Sequence, residues 1–223
     1  MVLRIVEIVG PAGAGKTTLC HALNRCSESI RLGNFPDVRK LSAVPFFIGN
    51  GLKISPYLLN LHQHNGRKLL RREFAWLSIL YGWPVVLKKE LNNQKVIILD
   101  QGPIYLLTEL KEFGPEYLRE EKAGKFWLDL YSRWAGMLDM IVWLDAADVI
   151  LLDRIRSRSK EHVVKNESVQ ATFEFLASFR KAYERTISNF ESNQSNLKIL
   201  RFDTSHRSPE GIASQLIFEF GST

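Results

Sequence analysis

Residues 3–18 read Leu-Arg-Ile-Val-Glu-Ile-Val-Gly-Pro-Ala-Gly-Ala-Gly-Lys-Thr-Thr. The run from Leu3 to Val9 is apolar except at Arg4 and Glu7 and reads as a first buried strand. Gly10, Gly15, Lys16 and Thr17 then complete the pattern G-x-x-x-x-G-K-[ST], and a helix is predicted from about Lys16 to Cys26. The strand–loop–helix context is the one this pattern requires. Glycine at 10, 13 and 15, with Pro11, Ala12 and Ala14 in between, lets the loop backbone curl so that successive N–H groups converge on an anion. The helix behind adds its positive end. Lys16 supplies a point charge for the β- and γ-phosphates, the Thr17 hydroxyl is a ligand for Mg²⁺, and Thr18 can reach the α-phosphate. Pro11 stiffens the loop. The segment therefore predicts binding of ATP with Mg²⁺.

Further along, short β-type runs alternate with helical periods. Strands are expected near Ile30–Phe35, at Lys95–Leu99 (KVIIL), Met140–Leu144 (MIVWL) and Leu197–Phe202 (LKILRF). Helices are expected over Arg67–Tyr81, Asp148–Arg158, Phe173–Phe190 and Pro209–Phe220, the first ended by Gly82-Trp83-Pro84. Leu176, Phe179, Tyr183, Ile187 and Phe190 form one stripe, most simply core. Pro36, Pro45, Pro56 and Gly49-Asn50-Gly51 predict that Ser27–Asn65 is broken into short pieces. The pattern is that of an α/β fold with three layers: a parallel sheet of about five strands, helices on both faces, and right-handed crossovers. No repeat or linker divides residues 1–223, which read as one domain.

Ligands of such sheets gather at the carboxyl ends of the strands. Asp100 follows one strand end and can hold Mg²⁺ or accept a proton from an acceptor hydroxyl. Asp145 has the equivalent place on the next strand, with Asp148 as a helix cap. Arg154 and Arg158 are four apart on a predicted helix, hence on one face, with Arg156 pointing away. Two such cations can close over a triphosphate and neutralise charge on the group in transfer.

The segments GPAGAGKTT, VIILDQG, LDAADVILLDRIRSR, FLASFRKAYE and LRFDTSHRSPEGIA together resemble the thymidylate kinase and deoxynucleoside kinase group of P-loop kinases. The resemblance covers about two-thirds of the chain and weakens between Ser27 and Trp83. It implies a P-loop kinase fold with a helical arginine lid, here residues 148–165, in which Arg154 and Arg158 contact ATP phosphates and Asp100 is the strand-end acid. One position departs: the group places an arginine after that acid, and this chain has Gln101.

Acceptor binding is then expected in residues 27–94. Arg67, Arg71 and Arg72 open a helix that can line an acceptor pocket. Arg67 and Arg71 share a face and can stand in for the missing arginine; an exposed basic turn is the alternative. Asp37 is a candidate base, and Phe46, Phe47, Tyr57 and Trp76 are candidates to stack on a base. His62 and His64 read as surface residues.

A net charge of +6, spread along the chain, suits a polyanionic ligand and makes no case for nucleic acid. No run is long enough for a membrane span, and the first strand leads directly into the loop rather than to a cleavage site. Cys20 and Cys26 read as reduced packing residues of a cytoplasmic protein. After the fourth strand stands Asp145-Ala146-Ala147-Asp148, which lacks the N-K-x-D pattern that reads guanine. The leading expectation is transfer of the γ-phosphate of ATP to a small acceptor, a nucleoside or nucleoside monophosphate. A non-nucleoside metabolite kinase and a nucleotide-dependent switch of low turnover are the alternatives, and a homodimer is left open.

Overall fold

The computed structural model describes residues 4–37, 39–61, 67–91, 96–159, 161–193 and 196–221. Strands β1 (Arg4–Val9), β2 (Ile30–Leu32), β3 (Val96–Leu99), β4 (Met140–Asp145) and β5 (Lys198–Asp203) form one sheet in the order β2-β3-β1-β4-β5. All pairs are parallel; Val6 stands opposite Ile98 on one side and Met140 on the other. The second strand is shorter than Ile30–Phe35. The expected starts at Leu3 and Lys95, and His62 and His64, lie outside the described residues.

Side-chain alternation explains the layers. Ile5 and Val9 of β1, Ile97 and Leu99 of β3, and Ile141 and Trp143 of β4 face one apolar cluster. Val6 and Ile8, Val96 and Ile98, and Met140, Val142 and Leu144 face another. The first is covered by α3 (Arg71–Glu90), α4 (Pro103–Phe113), α5 (Gly124–Trp134) and the C-terminal half of α7 (Val169–Asn193). The second is covered by α1 (Lys16–Cys26), α6 (Asp148–Ser157) and α8 (Pro209–Gly221). The result is the expected three-layer α/β fold with a five-stranded parallel sheet. Each large side chain so buried contributes about 1.5–3 kcal/mol. Cys20 is buried on α1 and Cys26 exposed, both as free thiols. Among the described residues no helix is long and apolar enough to cross a membrane.

Two expectations about segment breaks are corrected. Residues Val44–Leu61 form one helix, α2, through Pro56 and Gly49-Asn50-Gly51. The glycines serve packing: a Cβ on Gly51 would fall 2.7 Å from the Phe74 ring, and one on Gly82 would fall 2.2 Å from the Asn50 amide. Likewise α3 starts at Arg71 rather than Arg67 and continues through Gly82-Trp83-Pro84 to Glu90. Pro84 cannot donate to the carbonyl four residues earlier, that of Leu80. That oxygen instead accepts the indole N–H of Trp134 at 2.9 Å, so the missing donor is replaced from α5.

Trp134 is fully buried, with its ring 5.7 Å from that of Trp83. Trp134→Ala empties this site and orphans the Leu80 carbonyl. It should cost about 3–5 kcal/mol, read as a lower urea midpoint with an unchanged slope. A loss below about 1 kcal/mol would show that α3 does not depend on that indole.

Candidate functional site

The loop Gly10–Gly15 joins the central strand β1 to α1. Gly10, Gly13 and Gly15 have φ of 145°, 84° and 90°, backbone that disfavours any side chain. Space forbids one too: a Cβ on Gly10 would lie 2.0 Å from the Leu144 carbonyl oxygen, and one on Gly13 would lie 2.9 Å from that of Leu151. Lys16 folds back across the loop, its Nζ donating to the carbonyls of Gly10 at 2.7 Å and Pro11 at 2.9 Å. Burial lowers its ammonium to about 8; Asp100 pulls it up and Arg158 pushes it down.

Thr17 is exposed, and its hydroxyl donates to Asp100 Oδ2 at 2.8 Å. This joins the start of α1 to the end of β3. One hydroxyl and one carboxylate, both hard oxygen donors, fit an Mg²⁺ ion that takes its remaining ligands from water and phosphate. Among the described residues no group of three or more His, Cys, Asp or Glu forms a closed metal cage.

Of the two expected arginines, Arg154 contacts the loop and Arg158 borders the same cavity. Arg154, on α6, donates to the carbonyl of Gly13 at 3.3 Å and to the Thr204 hydroxyl and carbonyl at 3.0 and 2.8 Å. Arg158 does not share its helical face, because α6 ends at Ser157 and Arg158 is extended (φ −70°, ψ 147°). Its Nε is buried without a hydrogen-bond partner. Such a donor in a cationic corner beside Lys16 is set to receive an anion. Arg156 bonds to the Glu167 carbonyl at 3.2 Å, away from the loop. Asp145 is committed elsewhere: the Arg180 guanidinium, on α7, grips both of its oxygens at 2.8 and 2.9 Å and reaches Asp148 at 2.6 Å.

These groups line one cavity of about 890 Å³. Gly10, Ala12, Gly13, Gly15, Lys16, Thr17, Thr18, Asp100, Gln101, Arg154 and Arg158 border it. Its far wall is formed by Arg72 and Trp76 of α3, Tyr105 and Glu109 of α4, and Phe175, Phe179 and Tyr183 of α7. The Arg72 guanidinium stands 5.4 Å from the Trp76 ring, which meets Tyr105 edge-on. Burial raises the Glu109 carboxyl, while Arg72 and the Tyr105 hydroxyl lower it.

The expected acceptor residues are therefore rearranged. Gln101 borders the cavity, but neither Arg67 nor Arg71 does; Arg72 lines it instead. Arg67 forks onto Glu73 at 2.5 and 2.9 Å and reaches the Phe113 carbonyl at 3.0 Å, so it caps the entry to α3. Asp37 is also outside, its carboxylate accepting the Arg39 N–H at 3.0 Å in a local turn. Of the candidate stacking residues only Trp76 borders the cavity; Tyr57 packs on Phe126. Phe179, read as core, is a cavity wall. Tyr105, Glu109 and Arg180 were not singled out in the sequence, and Glu7 only as a break in an apolar run. Glu7 is fully buried behind the site: burial pushes its carboxyl up to about 8, against three backbone N–H donors, while the charge of Asp100 adds to the rise.

The whole fold superposes on that of deoxyadenosine kinase from M. mycoides with bound dATP: 13% identity, 98% of this chain and 100% of that one, TM-score 0.51. The same kinase with products dCMP and a flexible dCDP gives 14% identity, the same coverage and a TM-score of 0.52. The fold is that of the P-loop deoxynucleoside kinases. No protein-family model and no curated protein matches the chain by sequence.

The lowered Lys16 ammonium sets a pH dependence. Bound phosphates favour its charged form, so above about pH 8 binding must take up a proton. Nucleotide affinity should be flat between about pH 7 and 8 and then fall, by at most about tenfold per unit. Titration with a fluorescent ATP analogue measures this. A profile still flat at about pH 9.5 would place Lys16 away from the phosphates.

Proposed function

We propose that the protein is a phosphotransferase that moves the γ-phosphate of ATP to a nucleoside or nucleoside monophosphate. The observation that carries this reading is the continuity of one cavity. The loop groups, Asp100, Gln101 and aromatic residues with Arg72 and Glu109 all border the same space. A protein that only held a nucleotide would need the first half alone. The deoxynucleoside kinase fold supports the same conclusion.

In this reading the loop N–H groups and the positive end of α1 hold the β-phosphate. Lys16 leaves the Gly10 and Pro11 carbonyls and turns to the β- and γ-oxygens. Thr17 and Asp100 would hold Mg²⁺, which would supply neutralising charge to the phosphates. Arg158 directs its unpaired Nε–H to the transferring group, where a fixed donor counts most. Arg154, already bonded to Gly13 and Thr204, holds the loop and the start of the next segment in place and presents its charge from there. Asp100 lies within reach of an acceptor hydroxyl and can take its proton, directly or through water. The aromatic wall excludes water, so that the acceptor rather than solvent is phosphorylated. Residues 148–165 act as the lid that completes the site, and residues 27–94 border the acceptor side through α3.

Release of ADP, measured by a coupled assay across nucleosides, nucleoside monophosphates and sugars, tests this. Acceptor-dependent turnover is expected, and Lys16→Ala should abolish it with an unchanged circular dichroism spectrum. Arg158→Ala should lower kcat by roughly 10²–10³-fold with little change in stability, whereas Arg154→Ala should also lower the melting temperature. Slow release with no acceptor effect, stimulated instead by a protein, would replace the kinase by a nucleotide switch.

A further inference from the structure

The carboxyl of Glu7 is the largest unexplained polar group of the core. It lies on β1, three residues before the phosphate loop, on the face shared by Ile5 and Val9, and it is fully buried. Among the described residues it makes no ion pair. Its two oxygens accept three backbone N–H groups instead: Oε1 from Gly102 and Tyr105, each at 2.9 Å, and Oε2 from Ile104 at 2.8 Å. Those are the free donors at the start of α4; residue 103 is proline and has none.

The seat is built for this contact. A Cβ on Gly102 would fall 2.6 Å from the Glu7 carboxyl carbon and from Oε2, so no side chain fits between strand and turn. Glu7 also stands opposite Leu99 in the sheet. The four residues Leu99–Gly102 are thus held at both ends by Glu7, through the strand pairing and through its carboxyl. Asp100 and Gln101 are the two residues in between, and Tyr105, on the cavity wall, is held by the same oxygen as Gly102.

A helix cap needs only one or two acceptors, and a side chain within the turn would serve. Drawing the cap from the strand that carries the phosphate loop ties the donor loop to the acid that faces it. We propose that Glu7 is the positioning residue that sets Asp100 against Thr17, and with it the Mg²⁺ geometry of the donor site. This rests on the kinase reading only for its effect on turnover; its effect on nucleotide binding stands without that reading.

Glu7→Gln keeps shape and volume but puts an NH₂ where one oxygen was. With a hydrogen at both in-plane positions, that NH₂ faces either the Ile104 N–H or those of Gly102 and Tyr105, donor against donor, even where the carboxyl itself holds a proton, so the turn shifts. Three measurements separate the roles. Affinity for ATP without Mg²⁺ should stay within about twofold, because the loop is untouched. The gain in affinity on adding Mg²⁺ should fall at least about fivefold, and kcat at least about tenfold, as expected for a misplacement of about 1 Å. Gly102→Ala, which pushes the turn off the carboxyl from the other side, should give the same pattern and carries the test if Glu7→Gln does not fold. Unchanged Mg²⁺ dependence in the folded variants would overturn the proposal. So would a loss of Mg²⁺-free affinity, Mg²⁺-dependent affinity and kcat in step with the melting temperature, the signature of a purely structural cap. Should the wild type turn over no acceptor, the kinase reading falls, while the Mg²⁺ dependence of binding still decides the role of Glu7.

Discussion

A side-chain carbon on Gly10 would sit 2.0 Å from the carbonyl oxygen of Leu144, and one on Gly13 would press on Leu151. The phosphate loop therefore lies flat against the end of β4 and the start of α6, with no room for anything but backbone. The other features of the edge follow from that closeness. The carbonyls of Gly10 and Pro11 turn toward Lys16, and that of Gly13 meets Arg154. Because β1 is central, with β3 on one side and β4 on the other, the acids that end those two strands must flank the loop. Their place is set by topology before any side chain is chosen.

The two acids nonetheless have different fates, and the difference is one of partners. Asp145 meets Arg180 in a two-pronged contact, accepts the Ala146 N–H at 2.8 Å, and shares the guanidinium with Asp148. An acid so engaged is part of the joint between β4, α6 and α7. Among the described residues Asp100 has only the Thr17 hydroxyl as a side-chain hydrogen-bond partner, and it borders the cavity. A bidentate arginine pair is both stronger and more directional than a single hydroxyl contact. Exchange of ligands is accordingly easy at Asp100 and costly at Asp145.

The same logic separates what the sequence made legible from what it hid. The loop was readable because its chemistry is local: eight consecutive residues carry both geometry and charge. The three inner strands, β1, β3 and β4, were readable because each is buried on both faces and hence a short apolar run; the edge strands β2 and β5 are only partly buried and carried a weaker signal. Asp37, Arg67 and Arg71 misled because charge says nothing about direction: Arg67 turns to Glu73, six residues on, and Asp37 to its own turn. Pro84 and Pro56 read as stops, yet α3 passes Pro84 because Trp134, fifty-four residues from Leu80, supplies the donor. Helix α5 was missed although Phe126, Trp127, Leu130, Tyr131 and Trp134 repeat at helical spacing. That signal was available. The role of Glu7 was not, because its partners lie ninety-five to ninety-eight residues away.

The charges that border the cavity differ between the loop residues and the aromatic residues. Lys16, Arg154 and Arg158 border the cavity with the loop, and Asp100, bonded to Thr17, is an acid among them. Two of these cations are already hydrogen-bonded to backbone carbonyls, and the third holds a buried Nε–H without a partner. This end rewards a polyanion. At the other end Arg72 faces Glu109, and the remaining wall is aromatic. Opposite charges near each other leave little net field, so a second triphosphate gains nothing there that it does not gain more strongly at the loop. Stacking and shape then dominate at that wall. Gln101 borders the same cavity and brings an amide there rather than a charge. Where the kinase group that the sequence resembles places an arginine, this chain has Gln101, and Arg72, on α3, is a cation of the cavity lining instead.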